Sequence, residues 1–144
     1  MKFRIFAIML LLVTASFAQN KQVVTAKAAP AAVGPYSQAI KAGDFVFTAG
    51  QLPLDPTNGQ IVGKDITAQT EQVLKNVSAV LTAAGTSLDK AIKCTVYLKN
   101  MSDFAKMNEV YGNYFKNSPP ARSTVQISGL AKDALVEIDV VALK

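Results

Sequence analysis

Apolar side chains recur every three or four positions in the middle of the chain, with polar side chains between them. The apolar set is Val73, Leu74, Val77, Val80, Leu81 and Ala84. This period places the set on one stripe of an amphipathic helix. Asp65 or Thr67 can cap the start of the helix, and Gly85 suits a left-handed residue beyond its end. The pattern therefore predicts a helix that buries one face.

Strict alternation of apolar and polar residues follows this helix, from Ala91 to Leu98. Such alternation is typical of a strand with one buried face. It places Cys94 on the apolar side. We expect a buried structural thiol there rather than a reactive one, because no neighbouring residue would stabilise a thiolate.

Shorter alternating segments precede the helix and predict a hairpin. Residues 37–41 and 45–50 flank the turn sequence Ala42-Gly43-Asp44. An edge strand near Val23 is expected before this hairpin. Turn residues at 56–59 then predict a short returning strand at residues 60–62.

A second apolar stripe predicts a second helix, capped by Ser102 or Asp103 and ended by Pro119-Pro120. Its members are Phe104, Met107, Tyr111, Tyr114 and Phe115. This stripe is more typical of a core or an interface than of a ligand site.

Two strands are expected at the end of the chain, at residues 122–128 and 135–143. Arg122 and Thr124 share one face of the first strand, opposite Val125. Glu137 lies on the polar face of the second. If the apolar faces of both strands pack on the helices, Arg122 and Glu137 lie on the same side of the sheet.

The predicted order is β-β-β-α-β-α-β-β, an α+β domain with two helices on one face of a mixed sheet. The other sheet face mixes Thr and Val with charged residues. It is too apolar for a freely solvated surface, so one interpretation is contact with copies of the same chain. A solvated face with ordinary ion pairs is the alternative.

The first 18 residues are predicted to be a signal peptide, which leaves a domain over residues 19–144. Lys2 and Arg4 precede an apolar run, and Ser16-Phe17-Ala18 provides a cleavage site after Ala18. The run is shorter than the roughly 20 residues of a membrane-spanning helix. We expect a periplasmic or secreted protein without stable membrane association after cleavage. An uncleaved membrane anchor is the alternative.

The amino-acid composition excludes several kinds of catalytic and binding site. The sequence has no His, which excludes His-based acid–base catalysis, and its one Cys excludes an internal disulfide. Without Lys2 and Arg4 the net charge falls from +5 to about +3, with no basic cluster, so nucleic-acid binding is not expected. Once the predicted signal peptide with Arg4 is removed, Arg122 is the only arginine. From the sequence alone, it is either a carboxylate-binding residue or a surface salt-bridge partner.

Several motifs resemble the RidA family, also called the YjgF or L-PSP family, from residue 29 to residue 143, nearly the whole of the predicted mature chain. They are Gly34-Pro35-Tyr36-Ser37-Gln38-Ala39, Phe47-Thr48-Ala49-Gly50-Gln51-Leu52-Pro53, Pro120-Ala121-Arg122-Ser123-Thr124-Val125, Ser128-Gly129-Leu130 and Val136-Glu137-Ile138. A series of short matches in the right order is far more specific than any one of them.

The resemblance implies a chorismate-mutase-like fold and a homotrimer with clefts between subunits. It also implies hydrolysis of enamine and imine acids, such as 2-aminoacrylate and 2-iminopropionate, without a metal or cofactor. It assigns catalytic roles to Arg122, Glu137 and Tyr36. It places Asn108 in the cleft, with backbone donors at Gly50 and Thr124 for the substrate.

Two positions depart from the commoner family pattern. Ala49 stands where many members have Ser, and Thr124 stands where several have Cys. Both changes bear on substrate preference. Two other functions stay open: a non-catalytic trimer that binds small carboxylic acids or unfolded proteins, and, less favoured, an endoribonuclease or translation inhibitor.

Overall fold

Six strands form one mixed sheet in the computed structural model, which describes residues 21–144. The predicted signal peptide lies outside the described residues. The elements are β1 (Gln22–Val24), β2 (Ala39–Ala42), β3 (Phe45–Thr48), α1 (Ile66–Ala83), β4 (Ala91–Leu98), α2 (Phe104–Tyr114), β5 (Ala121–Gln126) and β6 (Val136–Leu143). The predicted β-β-β-α-β-α-β-β order is confirmed.

The strands lie side by side in the order β1-β2-β3-β6-β4-β5. Strands β4 and β5 are parallel and are connected through α2, whereas the other neighbours are antiparallel. The last strand of the chain thus lies in the middle of the sheet. Strand β5, which carries Arg122, forms one edge.

The long helix α1 packs on the sheet through the predicted stripe. Val73, Leu74, Val77, Val80 and Leu81 are fully buried. The Asp65 side chain caps the helix by accepting the Ala68 N–H at 2.9 Å, and Gly85 has φ +83° beyond the end. The local sequence signals for this helix are therefore confirmed.

Helix α2 covers the same sheet face, to which β4 contributes Cys94, Val96 and Leu98 and β6 contributes Val136, Ile138 and Val140. All six are buried. Burial raises the pKa of the Cys94 thiol, in line with the structural role predicted for it.

Two local predictions are wrong. Residues 60–62 form no ladder with a strand, and only Ile61 makes an isolated bridge to Leu54. Ile92, expected on the apolar face of β4, lies at a register shift between Ala91 and Lys93 and is exposed.

The opposite sheet face has no helix over it and carries large apolar side chains. Phe45, Phe47, Val125 and Leu143 are each about two-fifths exposed there. We call this surface the open face. Neither helix in residues 21–144 combines the length and apolar character needed to cross a membrane.

Candidate functional site

Arg122 lies on the helix-covered face of the sheet because β5 pairs with β4 in parallel, with Arg122 opposite the buried Cys94. The side chain reaches α2. Its Nη2 donates a hydrogen bond to Asn108 Oδ1 at 2.8 Å. Its Cζ lies 4.5 Å from the centre of the Tyr111 ring and 5.6 Å from that of Phe104. An amide oxygen and an aromatic face therefore hold the guanidinium.

No Asp or Glu within residues 21–144 forms an ion pair with Arg122, and the two ion pairs found there involve lysines. The surface salt-bridge interpretation is therefore not supported in this part of the chain. Arg122 instead borders a cavity of about 410 Å³, which is lined by Asn108, Tyr111, Gly112, Phe115, Pro119, Pro120 and Arg122. A partly buried cation beside a cavity favours an anionic ligand.

Thr124 follows Arg122 by two residues and lies on the same face of β5. Its Oγ1 is buried and has no hydrogen-bond partner in the described residues. An unpaired buried hydroxyl is uncommon in proteins and is often satisfied by a ligand or a water molecule. Thr124 thus offers a second polar atom close to Arg122.

Glu137 lies on the open face, opposite Tyr97 in the β4–β6 ladder. Its carboxyl group lies directly over Gly50. A Cβ atom built on Gly50 would lie 2.7 Å from Glu137 Cδ and would overlap Oε1. The two residues are brought together by reciprocal backbone hydrogen bonds between Gln51 and Ile138, of 2.9 and 3.1 Å.

A bulge in the chain after β3 places Gly50. Phe47 pairs with Val141 and Gln51 with Ile138, so three residues on one side face two on the other. The Thr48 hydroxyl accepts the Val140 N–H at 2.9 Å within this bulge. Bulges that aim a side chain or a close backbone approach are frequent beside functional sites.

Tyr36 is half exposed and lies near Gly50. Its hydroxyl accepts a long hydrogen bond of 3.4 Å from the Val33 N–H. Tyr36 and Gly50 both border a small cavity of about 70 Å³. Glu137, Gly50 and Tyr36 therefore form a second group, separate from the group of Arg122, Asn108 and Thr124.

The carboxyl group of Glu137 has an unusual electrostatic environment. Burial raises its pKa, and the negative charge of Asp139 on the same strand raises it further. The Tyr97 hydroxyl donates a hydrogen bond to Asp139 Oδ2 at 2.9 Å on the same face. A carboxyl group with a raised pKa suits proton transfer near neutral pH.

The prediction that Arg122 and Glu137 share one side of the sheet is wrong for a single chain. Arg122 is level with Cys94 on the covered face, and Glu137 is level with Tyr97 on the open face. Their Cα atoms lie two strand spacings apart across the sheet and three residues apart along it. Together these give a Cα–Cα distance of about 14 Å. The prediction failed because Val125 faces the open side, while Arg122 packs on Tyr111 in the place of an apolar residue.

Two contributions were missed from the sequence. Tyr111 was placed in the core stripe of α2, which is correct, but its contact with Arg122 was not foreseen. The second is Asp139, whose charge raises the pKa of Glu137 and was not considered from the sequence. The i, i+3 spacing of Asn108 and Tyr111 on one helix was the available signal for the first.

Comparison with known proteins identifies close relatives. Residues 26–144 match the family model described as endoribonuclease L-PSP. A RutC family protein of Pyrococcus horikoshii is 59% identical over 124 residues, which cover 86% of this chain and 98% of the relative. Protein DfrA of Myxococcus xanthus is 46% identical over 125 residues, covering 85% and 95%.

Solved structures agree with this fold. YyfA of Yersinia pestis, described as a member of the conserved Rid protein family, has a TM-score of 0.84 and 48% identity, over 87% of this chain and 100% of the other. Escherichia coli TdcF with bound serine has a TM-score of 0.82 and 40% identity, over 85% and 98%. The predicted chorismate-mutase-like fold is confirmed by this agreement.

Proposed function

The chain belongs to the endoribonuclease L-PSP family, whose members include Rid and RutC proteins, and on this basis we propose that it hydrolyses small imine and enamine acids to 2-oxo acids and ammonia. The proposed substrates are of the 2-aminoacrylate and 2-iminopropionate type. The observation that carries the proposal is Arg122, a partly buried guanidinium that lies beside a cavity and has no ion-pair partner in residues 21–144.

Arg122 binds the substrate carboxylate in this proposal. A guanidinium can hold a carboxylate through two parallel hydrogen bonds, which fixes the position of the neighbouring C=N carbon. The serine bound to TdcF supports a small carboxylate ligand, since serine is an amino acid of similar size. Thr124 supplies a further hydrogen bond from the same strand face.

Glu137 acts as the general base and then as the general acid in this proposal. With a protonated imine, to which an enamine first tautomerises, the Glu137 carboxylate takes a proton from water as the water oxygen bonds to the imine carbon, and returns this proton to nitrogen. The C–N bond then breaks as the carbinol oxygen becomes the carbonyl, and the carbinol O–H proton leaves with the ammonia as ammonium. Ammonia and a 2-oxo acid leave. Tyr36 donates a hydrogen bond at the pocket rim. The reaction requires modest acceleration, because such imines already hydrolyse in water.

The site forms between two copies of the chain, in the expected homotrimer. Arg122 and Glu137 lie about 14 Å apart on opposite faces of one sheet, too far to hold one small molecule. The exposed apolar side chains of the open face, including Phe47 and Val125, support packing against another copy. One subunit then contributes Arg122 and its neighbour Glu137.

Mixing two inactive variants tests this arrangement. Arg122→Ala and Glu137→Gln should each be inactive, and trimers assembled from an equal mixture should regain about a quarter of wild-type activity, because a quarter of the subunit boundaries combine both intact residues. The measurement is imine loss after co-refolding, with mass spectrometry to confirm mixed trimers. Mixed trimers without activity would place both residues in one subunit's site.

Asp139→Asn is expected to extend activity to lower pH. Glu137 acts as a carboxylate, so activity is lost as the pH falls through its pKa. Asp139 raises that pKa, and removing its charge lowers it. The measurement is the acidic limb of the kcat/KM profile, with Asp44→Asn at the far hairpin as control. An unchanged limb, or a shift to higher pH, contradicts the role of Glu137.

The direct test generates 2-iminopropionate with an amino-acid oxidase and traps the remaining imine with semicarbazide. The purified protein should lower the amount of trapped imine. Carboxylate binding without imine loss would instead support a non-catalytic binder. RNA cleavage is not expected, because the sequence has no His to act as acid or base in phosphodiester hydrolysis.

We also propose that residues 1–18 direct export of the protein.

A further inference from the structure

Tyr111 lies directly beneath Arg122 and within the core. Its side chain is only 5% exposed. One face of the ring supports the Arg122 guanidinium, whose Cζ is 4.5 Å from the ring centre, and the Phe115 ring lies 4.5 Å away. Tyr111 is therefore held between the core and the cation that binds the substrate.

The hydroxyl group of Tyr111 does not explain this position. It is buried, and its one polar neighbour in residues 21–144 is the Cys94 thiol, a weak hydrogen-bonding group. Burial raises the pKa of Tyr111 well above its ordinary value, and the Cys94 neighbour raises it further, so the hydroxyl stays protonated. A buried hydroxyl with so weak a partner adds little stability relative to an apolar group of the same shape. The aromatic ring, rather than the hydroxyl, is therefore the part of Tyr111 that can act on Arg122.

The contacts of Arg122 leave part of its guanidinium available. The Arg122 Cζ lies over the Tyr111 ring, 4.5 Å from its centre, and Asn108 Oδ1 accepts a hydrogen bond from Nη2 at 2.8 Å. Asn108 and Tyr111 are three residues apart, on one side of α2. A guanidinium has five N–H donors in one plane, so the donors not used by Asn108 stay available to a ligand in that plane.

We propose that Tyr111 is a positioning residue whose aromatic ring fixes the plane of the Arg122 guanidinium, so that its remaining N–H groups meet the substrate carboxylate edge-on. This inference rests on the proposed function. A cation over an aromatic face is attracted to it, and more strongly when the contact is partly desolvated, as for the 5% exposed Tyr111. The flexible arginine side chain therefore loses little freedom when the carboxylate binds.

The test measures the Kd for pyruvate by calorimetry together with kcat and KM for 2-iminopropionate. Tyr111→Leu should raise both Kd and KM about tenfold, in line with loss of a partly desolvated cation–π contact, with a much smaller change in kcat. Tyr111→Phe keeps the ring and should hold both constants within twofold. Its Tm should stay close to that of the wild type, because the hydroxyl that it removes has only the Cys94 thiol as a weak partner.

Tyr114→Leu is the matched control. It removes an aromatic side chain from the same helix, together with a hydrogen bond from its hydroxyl to Glu71, but does not border the Arg122 cavity. It should lower the Tm without raising the Kd for pyruvate. Equal Kd values for Tyr111→Leu and Tyr114→Leu, or a Tyr111→Phe variant as weak as Tyr111→Leu, would overturn the inference.

Tyr111→Met replaces the Leu variant if the latter does not fold, since methionine fills irregular core space. The binding measurement separates the two proposals. Pyruvate binding without imine hydrolysis would refute the proposed function and still test Tyr111. If the wild type does not bind pyruvate, Arg122 holds no carboxylate and the inference fails as well.

Discussion

Replacing Arg122 with Ala should lower kcat/KM for 2-iminopropionate by about 1000-fold. Two charge-assisted hydrogen bonds to the carboxylate contribute roughly 4 kcal/mol together, and each 1.4 kcal/mol corresponds to a factor of ten. Arg122→Lys keeps the charge but loses the paired geometry, so a loss of about 100-fold is expected. The measurement is imine trapping at several substrate concentrations.

Lys106→Ala is the control for Arg122, because it removes an exposed positive charge from the same helix that supports Arg122. Its activity should match the wild type within twofold. Arg122→Ala activity within threefold of the wild type, in a protein with an unchanged Tm, would show that no essential carboxylate is bound there. The proposed function would then be withdrawn.

Gly50→Ala should abolish most activity while leaving the fold intact. The new Cβ would overlap the Glu137 carboxyl, so that side chain must rotate away from its position. Gly50 does not have a positive φ, and the atoms in the way belong to a flexible side chain. We expect kcat to fall about 100-fold, as for removal of a general base, and the free energy of unfolding to change by less than about 1 kcal/mol.

Two further variants make the Gly50 prediction specific. Gly129→Ala adds a methyl group where no atom lies within 4 Å and should be fully active. Glu137→Ala combined with Gly50→Ala should be no worse than Glu137→Ala alone, because both changes remove the same carboxylate. A further tenfold loss in the double variant would mean that Gly50 acts independently of Glu137.

The elements that could be predicted from sequence are those specified by local patterns. The stripe on α1, its Asp65 cap and Gly85 are all contained within about twenty consecutive residues. Strand β4 was predicted with its observed bounds for the same reason. Composition singled out Arg122, and strand alternation placed Glu137 on a polar face. The family motifs supplied the other candidates, Tyr36, Gly50, Asn108 and Thr124.

The arrangement of the site could not be predicted because it depends on which face of each strand meets the helices. In β5 the apolar Val125 faces outward and Arg122 faces inward, the reverse of the usual pattern. Only the register with β4 reveals this. The approach of Gly50 to Glu137 depends likewise on a pairing between Gln51 and Ile138, 87 positions apart in the sequence.

The separation of Arg122 and Glu137 by the sheet has a kinetic consequence. Under the proposed mechanism, Arg122 on one face binds the carboxylate and Glu137 on the other acts as the base, so we expect only associated chains to turn over substrate. Specific activity should therefore fall when the protein is diluted below the dissociation constant of its subunits. In that range we expect the rate to depend on protein concentration with an order above one, and newly made single chains to be inactive until they associate.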